Sequence, residues 1–156
     1  MQPRDLIVTA KRLVGRHRTG KPRQADLKRA LSTAYFAMFH AVCRNCADCF
    51  VGKTAANRSL LAWRQAYRAV NHGTAKTQYG KKVVMDNFPI VIQNFASKFI
   101  ELQNKRHQAD YDPINKLRRG DVLTEINAAE VAIKKLQESS IKDKRAFAVW
   151  TVMAKK

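Results

Sequence analysis

Between positions 106 and 112 the chain reads RHQADYD, crowding Arg106, His107, Asp110, Tyr111 and Asp112 into seven positions. These are groups that hold a phosphate and move protons around it: a guanidinium offers a planar fork of donors, and an imidazole titrates near neutrality. At about 100° per residue, Phe88, Ile92, Phe95, Phe99 and Leu102 define an apolar helical stripe. Arg106 falls at the centre of that stripe with Asp110 about 40° away, so the helix aims an arginine where a hydrophobe belongs. Arg106 and Asp110 are four residues apart and able to touch, as are His107 and Tyr111 on the adjoining face. Two readings stay open. One is an ion pair that locks the helix end onto a bundle, because a partly buried arginine demands a carboxylate. The other is a polar pocket that binds or cleaves a phosphodiester.

Two other stretches offer what such a pocket would use. Arg29, Ser32, Phe36 and His40 follow one another at i, i+3, i+7 and i+11, beside an apolar stripe of their own helix. Arg64, Arg68 and His72 repeat at four-residue steps, either as a solvated basic face or as a track for phosphates. The run CRNCADC, with His40 one step of three upstream, invites a metal. Steps of three rotate by about 300° each, so these side chains fan around a helix and cannot converge on one ion at about 2.3 Å. Cys43, Cys46 and Cys49 are therefore expected to pack as small hydrophobes, and neither a metal nor a cofactor is expected. VGKT at 51–54 lacks the glycine that a phosphate-binding loop needs five residues before Gly52, where Ala47 stands, and it reads as a connection between helices.

Few breaks interrupt the elements that must position these residues. Only six glycines and four prolines occur in 156 residues, and apolar residues recur at steps of three and four with almost no alternation. The class is all-α: one domain over 1–156, an up-and-down bundle of four to five main helices plus a short last one. Expected helices cover 3–14, 25–49, 54–73 and 86–112, with Thr54 as a cap, Gly73 as a stop, and Leu60, Trp63, Tyr67 and Val70 turned inward. Residues 74–86 read as a loop. A fifth helix starts at Thr124 and carries Ile126 and Ile133 inward; a short last segment is capped by Asp143 and holds Phe147 and Trp150. The 30 Lys and Arg against 12 Asp and Glu leave a charge of +18, which calls for an anionic partner, nucleic acid ahead of membrane. No apolar run reaches membrane-spanning length and no signal-peptide core opens the chain, so a cytoplasmic protein is expected.

At RALSTAYFAMFHAV (29–42) and RHQADYDP (106–113) the chain resembles the HEPN domains, small helical bundles found in prokaryotic defence and toxin–antitoxin systems and beside nucleotidyltransferases. The resemblance covers roughly residues 5–137. It implies a homodimer that contacts RNA or a nucleotide, as a metal-independent ribonuclease or toxin component, or else a non-catalytic module partnering a nucleotidyltransferase antitoxin. Many members pair an Arg with a His, with four to six residues between them. Arg106 takes the Arg position, but the three positions for the His hold Tyr111, Asp112 and Pro113, and the branch with ADYD resembles this chain best. Arg12 and His17 have the spacing but belong to the first helix and its following loop. On this resemblance Arg106, Asp110, Tyr111 and His40 form the site, and Arg29, Arg64, Arg68 and His72 contact RNA.

Overall fold

The computed structural model describes residues 1–15 and 20–153, so His17 and the centre of the basic loop lie outside the described residues. Among the described residues there are eight α-helices and no strand, as the periodicity predicts. They are α1 (Pro3–Gly15), α2 (Gln24–Val51), α3 (Leu60–Arg68), α4 (His72–Tyr79), α5 (Lys82–Met85), α6 (Ile90–Tyr111), α7 (Arg119–Glu138) and α8 (Ile141–Val152).

The centre of the bundle is α2. Leu27, Leu31, Tyr35, Met38 and Val42 are buried along it, and alanines at 30, 34, 37 and 41 widen the apolar arc and let neighbours approach closely. An arc that wide cannot be covered by one partner, and α2 meets α1, α3, α6, α7 and α8. Its two ends are tied by polar clamps. At the amino end, Gln24 donates to the Leu117 carbonyl (2.9 Å) and accepts from the Leu117 N–H (2.8 Å). Toward the other end, Asn45 donates to the Lys144 carbonyl of α8 (3.1 Å). Lys28 donates to the carbonyl of Asp112, which brings the carboxyl end of α6 beside the amino half of α2 and makes the two helices antiparallel. Against α7, α6 is registered by a lattice of four charges: Lys98 and Lys105 each bridge Glu101 and Glu125 at 2.6–3.1 Å.

The expected helix over 54–73 and loop over 74–86 are corrected. A 3-10 turn at Ala55–Asn57 comes first, and α3 starts only at Leu60, where Ser59 rather than Thr54 accepts from the Ala62 N–H. After α3 the chain breaks, and Asn71 caps a new helix by accepting from Gly73 and Thr74, both at 3.0 Å. Gly73 thus opens α4 instead of closing α3. The segment read as a loop packs because α4 carries Ala75, Gln78 and Tyr79 on one face. Gln78 and Trp150 exchange two hydrogen bonds of 2.9 Å, and Tyr79 meets Thr151 at 2.7 Å and stacks on Phe147. Leu60, expected inside, is 55 % exposed, and α3 buries none of its residues fully. Two further caps move: α7 starts at Arg119, with Thr124 inside it bonding back to Gly120, and Ser140 rather than Asp143 caps α8.

Candidate functional site

The antiparallel pairing of α2 and α6 sets Arg106 against two rings of α2. Its guanidinium carbon lies 5.3 Å from the Tyr35 ring centre and 5.0 Å from that of Phe36, within cation–π range. Arg106 Nε donates to Asp110 Oδ2 at 3.2 Å. The expected ion pair is therefore present, but at a half-exposed edge rather than in the core, with side chains 26 % and 34 % exposed. The terminal guanidinium nitrogens make no hydrogen bond among the described residues. His107 and Tyr111 pack ring on ring at 4.7 Å, as their spacing predicts, and Tyr111 stands mostly in solvent.

His72 arrives at the same rings from the other side of the sequence. Because Asn71 starts a new helix, residue 72 leaves the line of Arg64 and Arg68, both of which stay exposed on α3, and turns toward α2. Its Nδ1 lies 2.6 Å from Tyr35 Oη, its ring stacks on Phe39 at 3.7 Å and 14°, and it meets the edge of Phe36 at 6.1 Å. Gln103 of α6 donates to the His72 carbonyl at 3.4 Å. The expected track of Arg64, Arg68 and His72 on one helix face is therefore corrected: two of the three share a face. Burial lowers the His72 pKa below the ordinary imidazole value, and the charges of Arg106 and His40 lower it further.

His40 belongs to the same band one turn along α2. Its Nδ1 lies 2.5 Å from Tyr67 Oη on α3. Its pKa is also lowered, by burial first and then by the positive amino group of Met1. Both phenols hold their protons: burial pushes Tyr67 up to about 12 and raises Tyr35 strongly, the latter against the pull of Arg106. At neutral pH the site thus contains two neutral imidazoles, two protonated phenols and one guanidinium paired to a carboxylate. Arg29 is exposed on α2.

The cysteines do as their spacing predicts. Cys43 and Cys46 are buried, and Cys49 is half-buried. Burial pushes Cys43 up to about 12 and Cys46 higher still, so neither ionises near neutrality. Among the described residues no cluster of three His, Cys, Asp or Glu side chains has metal-binding geometry, and no helix is long and apolar enough to cross a membrane.

Several members of the site were missed from sequence. Tyr35, Phe39 and Gln103 are not singled out for the site by the sequence, and Tyr67 reads only as turned inward; the Asn71 cap is the signal that would have revealed that His72 turns toward α2. Comparison with models of known protein families, with characterised proteins and with solved structures finds no match to this chain.

Proposed function

We propose that the protein is a HEPN-like helical protein that contacts RNA at the Arg106 cluster and cleaves it without a metal ion. One observation carries this reading: Arg106 and His72 flank the same two rings, Tyr35 and Phe36, with Arg106 at 5.3 and 5.0 Å and His72 at 5.7 and 6.1 Å from the ring centres. The imidazole that positions 111–113 lack is supplied across the bundle by α4. The terminal nitrogens of Arg106 take the scissile phosphate, the geometry for which a planar fork is suited. In the tautomer that donates Nδ1–H to Tyr35 Oη across their 2.6 Å contact, the lone pair of Nε2 is left to accept the proton of a ribose 2′-hydroxyl. The 2′-oxygen bonds to phosphorus, the bond from phosphorus to the 5′-oxygen breaks, and that oxygen takes a proton from solvent, giving a 2′,3′-cyclic phosphate and a 5′-hydroxyl. Asp110 holds Arg106 in place, His40 and Tyr67 continue the floor, and Arg29, Arg64 and Arg68 add phosphate contacts. The charge of +18 supports an anionic polymer as the partner.

The test is incubation of the purified protein with total RNA and with tRNA in EDTA, comparing wild type with Arg106→Ala. Cleavage by wild type with cyclic-phosphate ends, lost in the variant, is expected. No cleavage together with no RNA binding at about 50 mM salt, where counterion release favours binding most, would remove the reading. A second reading, a non-catalytic module that partners a nucleotidyltransferase, is favoured by Leu60 and Leu61 on α3, which are 55 % and 78 % exposed. RNA binding without cleavage, or stable capture by such a partner, would favour it.

A further inference from the structure

A second cation-rich feature lies at the far end of α2, away from the Arg106 rings. Between the carboxyl half of α2, the end of α7 and the start of α8 is a cavity of about 360 Å³, at the lower end of the roughly 300–1,000 Å³ usual for small-molecule sites. Its walls are mixed. Ala41, Leu136 and Ile141 are apolar, and Arg44, Lys53 and Lys144 bring three positive charges against the single carboxylate of Asp48.

That carboxylate is already engaged. Asp48 Oδ1 accepts from the Trp63 indole N–H at 2.9 Å and pairs with Arg58 at 3.6 Å. The cations are held in place but not neutralised. Lys144 Nζ donates to the Gln137 carbonyl at 3.2 Å, a neutral acceptor that leaves its charge and two further N–H donors free. Arg58 donates to the Lys53 carbonyl at 3.3 Å and so fixes the backbone that carries the second ammonium. Arg44 is the least satisfied of the three. Its guanidinium lies 5.7 Å from the Trp63 ring centre, and its Nε is buried with no hydrogen-bond partner among the described residues. A buried donor that has given up water without an acceptor in exchange is costly, and such a group in a folded protein calls for an explanation.

We infer that this cavity binds a phosphate monoester of mononucleotide size, with the phosphate on Arg44, Lys53 and Lys144 and the organic body against Leu136 and Ile141. The charge is favourable: Arg58 already offsets Asp48, so the positive charges of Arg44, Lys53 and Lys144 are left for the ligand, and a phosphate monoester carries about −1.5 to −2 at neutral pH. The apolar walls offer nothing to a bare inorganic ion and something to a base or sugar. The site stands independently of the RNA reading, because it shares none of the side chains assigned there.

Isothermal calorimetry on the full chain with AMP, adenosine and inorganic phosphate tests it. AMP is expected to bind more tightly than phosphate, and adenosine to give no measurable heat. Arg44→Gln and Lys144→Gln are each expected to weaken AMP about tenfold, the loss of one charge-assisted hydrogen bond. Lys82→Gln, at an exposed position of α5 and equal in charge change, is expected to leave the affinity within about twofold, as a surface change away from the site. Should Arg44→Gln fail to fold, Lys53→Gln and Lys144→Gln carry the same test from the cavity rim. Absence of AMP binding overturns the inference, as does an equal loss in Lys82→Gln and Lys144→Gln, which marks diffuse attraction to a basic surface. Equal affinity for phosphate and AMP overturns the assignment of an organic body to the apolar wall.

Discussion

Both ends of α2 lay arginine on aromatic rings beside a carboxylate, yet their surroundings differ in kind. At one end Arg106 covers Tyr35 and Phe36 and pairs with Asp110; at the other Arg58 covers Trp63 at 4.6 Å and pairs with Asp48. The first is bordered by two imidazoles held by phenols, His72 on Tyr35 and His40 on Tyr67. The second is bordered by Arg44, Lys53, Lys144 and the thiol of Cys49, which burial raises above its ordinary pKa. In either place the arginine rests on a ring within cation–π range. Only the first also contains a group that is neutral at pH 7 and able to take a proton. On the proposed function, the neighbours of the arginine decide between holding a phosphate and breaking its ester.

The largest expected effect breaks that contrast outright. His72→Gln keeps a polar side chain under the Phe39 ring but removes the base, and RNA cleavage is expected to fall by about 10²–10⁴, the usual contribution of general base catalysis. Trp63→Leu, the ring at the opposite end, is expected to leave cleavage near wild type. Cleavage rates of both variants, measured beside their thermal melts, check the pair; equal losses would mean that the two ends are not different in kind.

The next effect concerns Arg106 as a structural group. Because its ion pair is half-exposed, Arg106→Ala is expected to cost about 1–2 kcal/mol, from an ion pair worth less than about 1 kcal/mol and contacts on two rings. Arg106→Met combined with Asp110→Leu should recover much of that loss, since an apolar pair needs no partner. Denaturant melts of the single and double variants decide. A loss above about 4 kcal/mol in the single variant would mean that the pair behaves as a buried one.

A smaller effect separates steering from chemistry. If Arg64 and Arg68 contact phosphates, replacing both with Ala should flatten the slope of log K against log salt by about one unit per lost contact, with the cleavage rate at saturating RNA unchanged. A binding series from low to high salt measures it.

The smallest is a pH effect on stability. The pKa values of His40 and His72 are lowered on folding from 6.5, chiefly by burial. The unfolded chain therefore binds protons at a higher pH than the folded one, and the stability these groups contribute is complete above 6.5 and lost as pH falls through their folded values. Melts of wild type and of a His40→Gln, His72→Gln double variant across pH 5–8 should diverge below 6.5, the wild type losing more. Parallel curves would show that the two imidazoles titrate as they do in the unfolded chain.

Much of this was legible in the sequence. The stripe from Phe88 to Leu102 and the spacing of Arg106 from Asp110 gave α6 and its ion pair, and the threefold cysteine steps gave three packed thiols. What escaped was set by contacts distant in sequence. An eight-residue helix such as α4 has too few turns for a periodic signal, and its face of Ala75, Gln78 and Tyr79 is recognisable only against Trp150 and Phe147 of α8. The inward turn of His72 hangs on one side-chain cap, Asn71, in a run where Gly73 reads equally well as a stop. The Arg106 side chain stays 26 % exposed with two rings of α2 and the Asp110 carboxylate beside it, an arrangement that no helical wheel contains.

The central claim, that RNA lies where Arg106 and His72 share the Tyr35 and Phe36 rings, is tested most directly at the imidazoles. The chain has four histidines, 17, 40, 72 and 107, so their ring signals can be assigned by single substitutions. Carbon–proton NMR spectra of these rings, recorded while a non-cleavable RNA with 2′-deoxy sugars is titrated in, report where the strand sits. The account predicts that the His72 ring shifts most and His40 next, with the His72 shift abolished in Arg106→Ala. A strand that moves only His17 or His107, leaving His72 and His40 where they were at saturation, would contradict it.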